Sequence, residues 1–195
     1  MAAATRRAMT IIALTGMPAA GKGEVASVAR ERGWAVHRIG DLVWEETERR
    51  GLELAPASVG AVANGEREAH GYGVWASRSL ERIDALRVAG SHVLIDGMRG
   101  ERELAVFRTA YGDALVTVAV VASAEQRLAR VQQRSRVDDG DAAAFLARDE
   151  RELGWSLAET IAAADETLTN EGELDALRAA AGELLARLEL LELRS

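Results

Sequence analysis

The chain of 195 residues has no cysteine, two prolines, two phenylalanines and two tyrosines, and among its 24 Lys/Arg residues lysine occurs once, at position 22. Without cysteine there can be no disulfide and no thiolate metal site, and a cytoplasmic setting fits. Long apolar runs are missing too, so nothing approaches the ~18–20 residues of a membrane span. The run Ile11–Leu14 after Arg6 and Arg7 is also too short for a secretory signal core. Positive charge is in deficit, with a net −7 and a pI of about 5.1, which excludes a broad nucleic-acid face but not a small anionic ligand. What is present is ordinary: 48% hydrophobic and 28% charged residues describe one globular domain. Residues 1–8 read as a loose tail and 9–195 as the domain; oligomeric state is left open.

Two periodicities alternate along the chain. "MTIIALTG" is a short, continuous apolar run of the kind buried on both faces; "WAVHRIG", "SHVLIDG" and the valine-rich "ALVTVAVVAS" read as further strands, and "DETLTN" as a weaker fifth. Between them lie helical stretches. One is ended by Gly33, one carries Leu104, Phe107 and Tyr111 on one face, one is "AEQRLARVQQR", and the last runs from Glu173 to Leu191. Strand followed by helix, repeated, predicts an α/β fold: about five parallel strands in a three-layer α/β/α sandwich. Residues 41–90 lack strand signals and read as a helical insertion, and 134–154 as a short lid with glycines at 140 and 154.

The single lysine stands in "GMPAAGKGEV". Gly16-Met17-Pro18-Ala19-Ala20-Gly21-Lys22 fits the Walker A pattern G-x-x-x-x-G-K after an apolar strand and before a helix. Glycines let backbone amides converge on phosphate oxygens, and the helix start adds its dipole. A lysine ammonium is a compact charge on a flexible stem, suited to a concave loop where a planar guanidinium fits poorly. ATP with Mg²⁺ is therefore the expected ligand, on residues 16–24. Gly23 replaces the usual metal-ligating Ser/Thr, and Glu24 follows it. Metal binding thus falls to phosphates, water and a carboxylate. Asp96, ending the third strand, can take that role directly or through water; a plain turn aspartate before Gly97 is the alternative.

"GMPAAGKGEV" resembles the adenylate-kinase group of nucleoside-monophosphate kinases, which use G-K-G. "RIGDLVWEE", "VLIDGMRG", "RSRVDDGD" and "DETLTNEGELDAL" follow in that group's order over roughly residues 10–185, the last also resembling dephospho-CoA kinases. The chain is most similar to an archaeal family of P-loop proteins related to nucleotide and dephospho-CoA kinases. The resemblance implies an ATP-dependent kinase with a nucleotide-type acceptor, either a nucleoside monophosphate or dephospho-CoA. It implies that Asp41 serves the acceptor, as base or positioning group, and that Arg99 grips it. Trp44 stands where the group has a phosphate-gripping arginine, so Arg67 and Arg78 are the expected replacements. It also implies lid arginines at 134, 136 and 148, with Arg136 the catalytic one, and an adenine-side turn at Asn170 and Gly172.

Each assignment has a plainer rival. Asp41 also suits a helix N-cap. The arginines around Val137-Asp138-Asp139 also suit a solvated turn, and Asn170-Glu171-Gly172 a helix start. Trp34, Trp44, Trp75 and Trp155 are read first as packing residues, and His37, His70 and His92 as structural. A nucleotide-binding switch with slow hydrolysis is the competing function of another class, but it leaves the arginine-flanked aspartates unexplained.

Overall fold

The computed structural model describes residues 9–134 and 142–191. Five strands form a single parallel sheet in the order β2-β3-β1-β4-β5: β1 is Ile11–Thr15, β2 Ala35–Arg38, β3 Val93–Asp96, β4 Leu115–Val121 and β5 Glu166–Thr169. Parallel pairing brings all the strands' C-terminal ends to one edge. Leu14 and Arg38 both stand level with Asp96, and Thr15 with Ala119.

Because β1 is central and covered on both sides, every one of its residues is buried, which explains its unbroken apolar run. Ile12 and Leu14 face one layer, in which α1 (Lys22–Glu31) contributes Val25 and Ala29 and α9 (Leu174–Leu191) contributes Leu177, Leu184 and Leu188. Ile11 and Ala13 face the other, packed with Trp75, Ile83 and Phe107. These come from α4 (Val74–Val88) and α5 (Glu101–Tyr111). The three-layer sandwich with five parallel strands is the fold of this chain.

The stretch expected to be helical contains α2 (Ile39–Arg49), α3 (Pro56–His70) and α4. Of these, α4 lies on the sheet itself: Trp75 and Ile83 are fully buried against Val93 and Ile95. One boundary differs from expectation. Strand β2 ends at Arg38 and α2 begins at once, so Ile39 and Gly40 are helical and do not finish the strand. Arg38, in extended conformation, is the N-cap residue, and Asp41 sits in the first helical turn. There its carboxylate meets the positive end of the helix dipole without capping it. Beyond β4 follow α6 (Ala124–Arg134), α7 (Ala142–Leu153) and the short α8 (Leu157–Ala162). Among the described residues no helix is long and apolar enough to cross a membrane. The expected tail 1–8, together with Arg136, the Val137–Asp139 stretch and Gly140, lies outside the described residues, as does the side chain of Arg134.

Candidate active site

The loop between β1 and α1 folds as its glycines allow. Gly16 and Gly21 have φ of 139° and 113°, in the region that side chains disfavour. A Cβ on Gly16 would run into the carbonyl oxygen of Val120, and one on Gly21 into the Asn170 amide and Leu177. Ala19 also takes a positive φ of 61°. Gly21 is the N-cap residue of α1, and no side chain caps that helix, so none competes with a ligand for its first amides. The Lys22 ammonium curls back over the loop and donates to the carbonyl oxygens of Gly16 (2.5 Å) and Met17 (2.9 Å). Burial pulls this ammonium down to about 8, and the carboxylates of Glu152 and Asp96 oppose the shift. Gly23 has open space where a side chain would be. Glu24 turns toward Arg178 on α9, 3.4 Å away.

Three side chains from beyond β4 brace this loop. Asn170, 4% exposed at the end of β5, donates from Nδ2 to the Ala20 carbonyl at 2.8 Å. Its backbone amide donates to the Val121 carbonyl, and Arg130 donates to both its carbonyl and its Oδ1. Arg127 on α6 donates to the Pro18 carbonyl at 3.2 Å and pairs with Asp149 on α7 through two bonds of 2.8 and 2.5 Å. Asn170 thus holds the loop from beneath through its own side chain, while Gly172 is exposed. Arg127 had no signal in the sequence, being one arginine among many.

Over the loop opens a cleft of about 420 Å³, lined at one end by Gly16, Pro18, Lys22 and Asp96 and at the other by Val43, Trp44, Val59 and Arg67. Arg38, Arg99, Arg148 and Glu152 complete its charged lining. Of the residues singled out from sequence, the structure gathers Lys22, Asp96, Arg67, Arg99 and Arg148 around this one space. Asp41 stands beside it, its carboxylate 3.4 Å from Arg38, whose Nε lies 3.9 Å from Asp96. Arg38 also lies over the Trp44 ring at 5.3 Å. This arginine was not anticipated; it links the two aspartates that were.

Arg78 does not line the cleft. Its guanidinium pairs with Glu66, which Arg50 also holds, and lies 5.0 Å over Trp75. Arg67, by contrast, is buried; burial lowers its pKa, and Glu103 at 3.6 Å, itself pushed up by burial, answers its charge. Trp155 is flanked by the guanidinium groups of Arg67 at 4.9 Å and Arg99 at 5.7 Å. An adjoining cavity of about 350 Å³ shares both arginines and adds Tyr72, Arg102 and Ser156.

The family described as AAA domain matches residues 12–152. A UPF0200 protein of Methanosarcina barkeri is 38% identical over 180 residues, covering 91% of this chain and 95% of that one. Among solved structures, a protein from Thermus thermophilus superposes with a TM-score of 0.61 at 22% identity, over 92% of this chain and 98% of that one. A shikimate kinase from Acinetobacter baumannii, in complex with shikimate, superposes with a TM-score of 0.54 at 18% identity, over 92% of each chain. At such identities the structural likeness establishes a P-loop kinase-like fold.

Proposed function

The chain belongs to the UPF0200 family, and from that premise we propose that it is an ATP-dependent phosphotransferase that moves the γ-phosphoryl group to a nucleotide-type acceptor. The observation that carries this reading is the shared cleft. The phosphate apparatus of Gly16, Lys22 and Asp96 opens into the same space as Trp44, Val59, Arg67 and Arg99. A switch that only hydrolyses nucleotide has no use for that second set.

The roles follow from the chemistry of each group. Backbone amides of residues 16–23 and the first turn of α1 cradle the β- and γ-phosphates, with the Lys22 ammonium as their mobile charge. Bound Mg²⁺ would supply charge neutralisation between the phosphates. Asp96 would be the carboxylate to hold it, because Gly23 offers no side-chain hydroxyl. Arg99 and Arg148 line the path between donor and acceptor, where guanidinium groups stabilise the oxygens of the moving phosphoryl group; Arg136 and Arg134 are assigned to the same task. Arg38, Asp41 and Arg67 position the acceptor.

A nucleoside monophosphate is the preferred acceptor. Dephospho-CoA is the second reading, favoured by one observation: Trp44 and Arg38 form a cation–aromatic pair where a phosphate-gripping arginine would otherwise stand. For that acceptor Asp41 would receive the proton of the ribose hydroxyl. An ADP-release assay against a panel of nucleoside monophosphates, dephospho-CoA and water alone tests these readings. Release that depends on one acceptor class supports transfer and names the class; release at full rate with water alone overturns it.

A further inference from the structure

The cleft contains one carboxylate that phosphoryl transfer, as assigned above, leaves without a role. Glu152, at the end of α7, is 4% exposed. Its Oε1 lies 3.4 Å from Nε of Arg148, one turn back on the same helix, and 3.8 Å from Nη1 of Arg99, which follows β3. With Asp96 it also helps to keep the proton on Lys22, which lines the same cleft. One buried anion thus pairs with Arg99 and Arg148 and shares the cleft with Lys22, the three cations that a polyphosphate there would need.

Physical chemistry limits what such a carboxylate can be. Three cations gathered around one cleft repel one another, and a buried charge such as that of Glu152 is tolerated only with partners. Before any ligand enters, Glu152 supplies the negative charge that lets Lys22, Arg99 and Arg148 share the cleft. A polyphosphate carries several negative charges and wants the same three donors. Both anions cannot be fully satisfied at once, because each cation's donors point in limited directions.

We propose that Glu152 is the built-in competitor of the ligand's phosphates: it holds Arg99 and Arg148 ready beside Lys22 in the free protein and yields them when a polyphosphate enters, thereby setting the affinity. Glu152 is an affinity-determining, positioning residue and takes no part in bond making. Exchange of one anion for another keeps the cations paired throughout. The site is therefore preorganised before binding, at the expense of tightness. This inference rests on the reading of the cleft as a polyphosphate site.

The test compares the intact protein with Glu152→Gln by calorimetric titration with ATP and Mg²⁺. Neutralising the competitor should tighten binding about tenfold or more, lower the melting temperature of the free protein, and enlarge the melting shift that ATP produces. Unchanged or weaker binding by the variant overturns the proposal, weaker binding being what loss of a metal ligand or substrate contact would give. Glu152→Asp, which withdraws the charge by one methylene, should gain less than the glutamine variant and serves if that one does not fold; a gain exceeding that of Gln counts against the idea. An independent arm needs no nucleotide. Because the chain has one lysine, carbon-13 lysine labelling yields a single side-chain resonance. Its titration midpoint should move to lower pH in Glu152→Gln, and an unmoved midpoint overturns the proposal. Failure of the unaltered protein to bind ATP at all would instead refute the reading of the cleft. Binding without the expected gain in the variant would refute only the role of Glu152.

Discussion

The two ends of the cleft are built by different means. In the proposed site the phosphate end works through main-chain groups of residues 16–23 together with Lys22 and Asp96, and other buried side chains hold the loop's shape: Asn170 on the Ala20 carbonyl, Arg127 on that of Pro18. At the acceptor end the working parts are side chains, and each is steadied by another charge: Arg38 by Asp41, Arg67 by Glu103, Arg99 by Glu152. A backbone cradle accepts any ligand with the right phosphates and tolerates little change. A side-chain lattice can be retuned one residue at a time. In the proposed reaction the first end therefore fixes the donor and the second selects the acceptor.

Substitutions can break that contrast, starting with the largest effect. Lys22→Ala should cut turnover roughly a hundred- to a thousandfold with an unchanged circular dichroism spectrum; full turnover would remove the phosphate end from the account. Asn170→Ala strips the Ala20 carbonyl of its buried donor and should cost about 1–3 kcal/mol. Melting temperature and ATP affinity should fall together, whereas loss of affinity alone would make Asn170 a ligand contact and not a brace. At the other end Arg38→Ala should raise the acceptor's KM about tenfold, some 1.4 kcal/mol, and leave that of ATP unmoved. A change in both would show that the two ends are not separable.

Smaller effects sharpen the comparison. Burial lowers Lys22 from the usual 10.5 to about 8, so above pH 8 the free protein increasingly carries it as the neutral amine. Triphosphate requires the ammonium, and binding must then draw a proton from solution. ATP affinity should decline as pH rises from 8 toward 10, with proton uptake visible as a buffer-dependent binding enthalpy; pH-independent affinity across that window would contradict the buried ammonium. Smallest of all, Arg78→Ala should change acceptor KM less than twofold and stability by less than ~1 kcal/mol, since its partner Glu66 keeps Arg50. A large KM effect would bring Arg78 into the acceptor site.

The same contrast governs how much was readable from the residues alone. The five strands and the loop were legible because their signals are local: short apolar runs for the strands, continuous in the central β1, and glycines at positions 16 and 21, where φ turns positive. The sandwich follows from their order. Much of the rest was not. Arg38, Arg127 and Glu152 acquire meaning only through partners on other elements, and nothing local sets them apart in a chain so rich in arginine and glutamate. The start of α2 was misplaced for a related reason. Ile39 is as good a strand residue as a helix residue, and no proline or cap residue marks the change. Arg78 and Arg67 looked equivalent on the helical stretch, and only packing separates the buried one in the cleft from the one held by Glu66.

The Asn170 brace has a practical corollary. Its amide reaches a carbonyl 150 positions earlier in the chain, and Gly16 nestles against Val120. A truncated piece stopping at Val121 would contain the whole glycine-lysine signature, yet lack the hand that keeps it curved. Grafting those ten letters into another scaffold should likewise transplant the spelling without the grip.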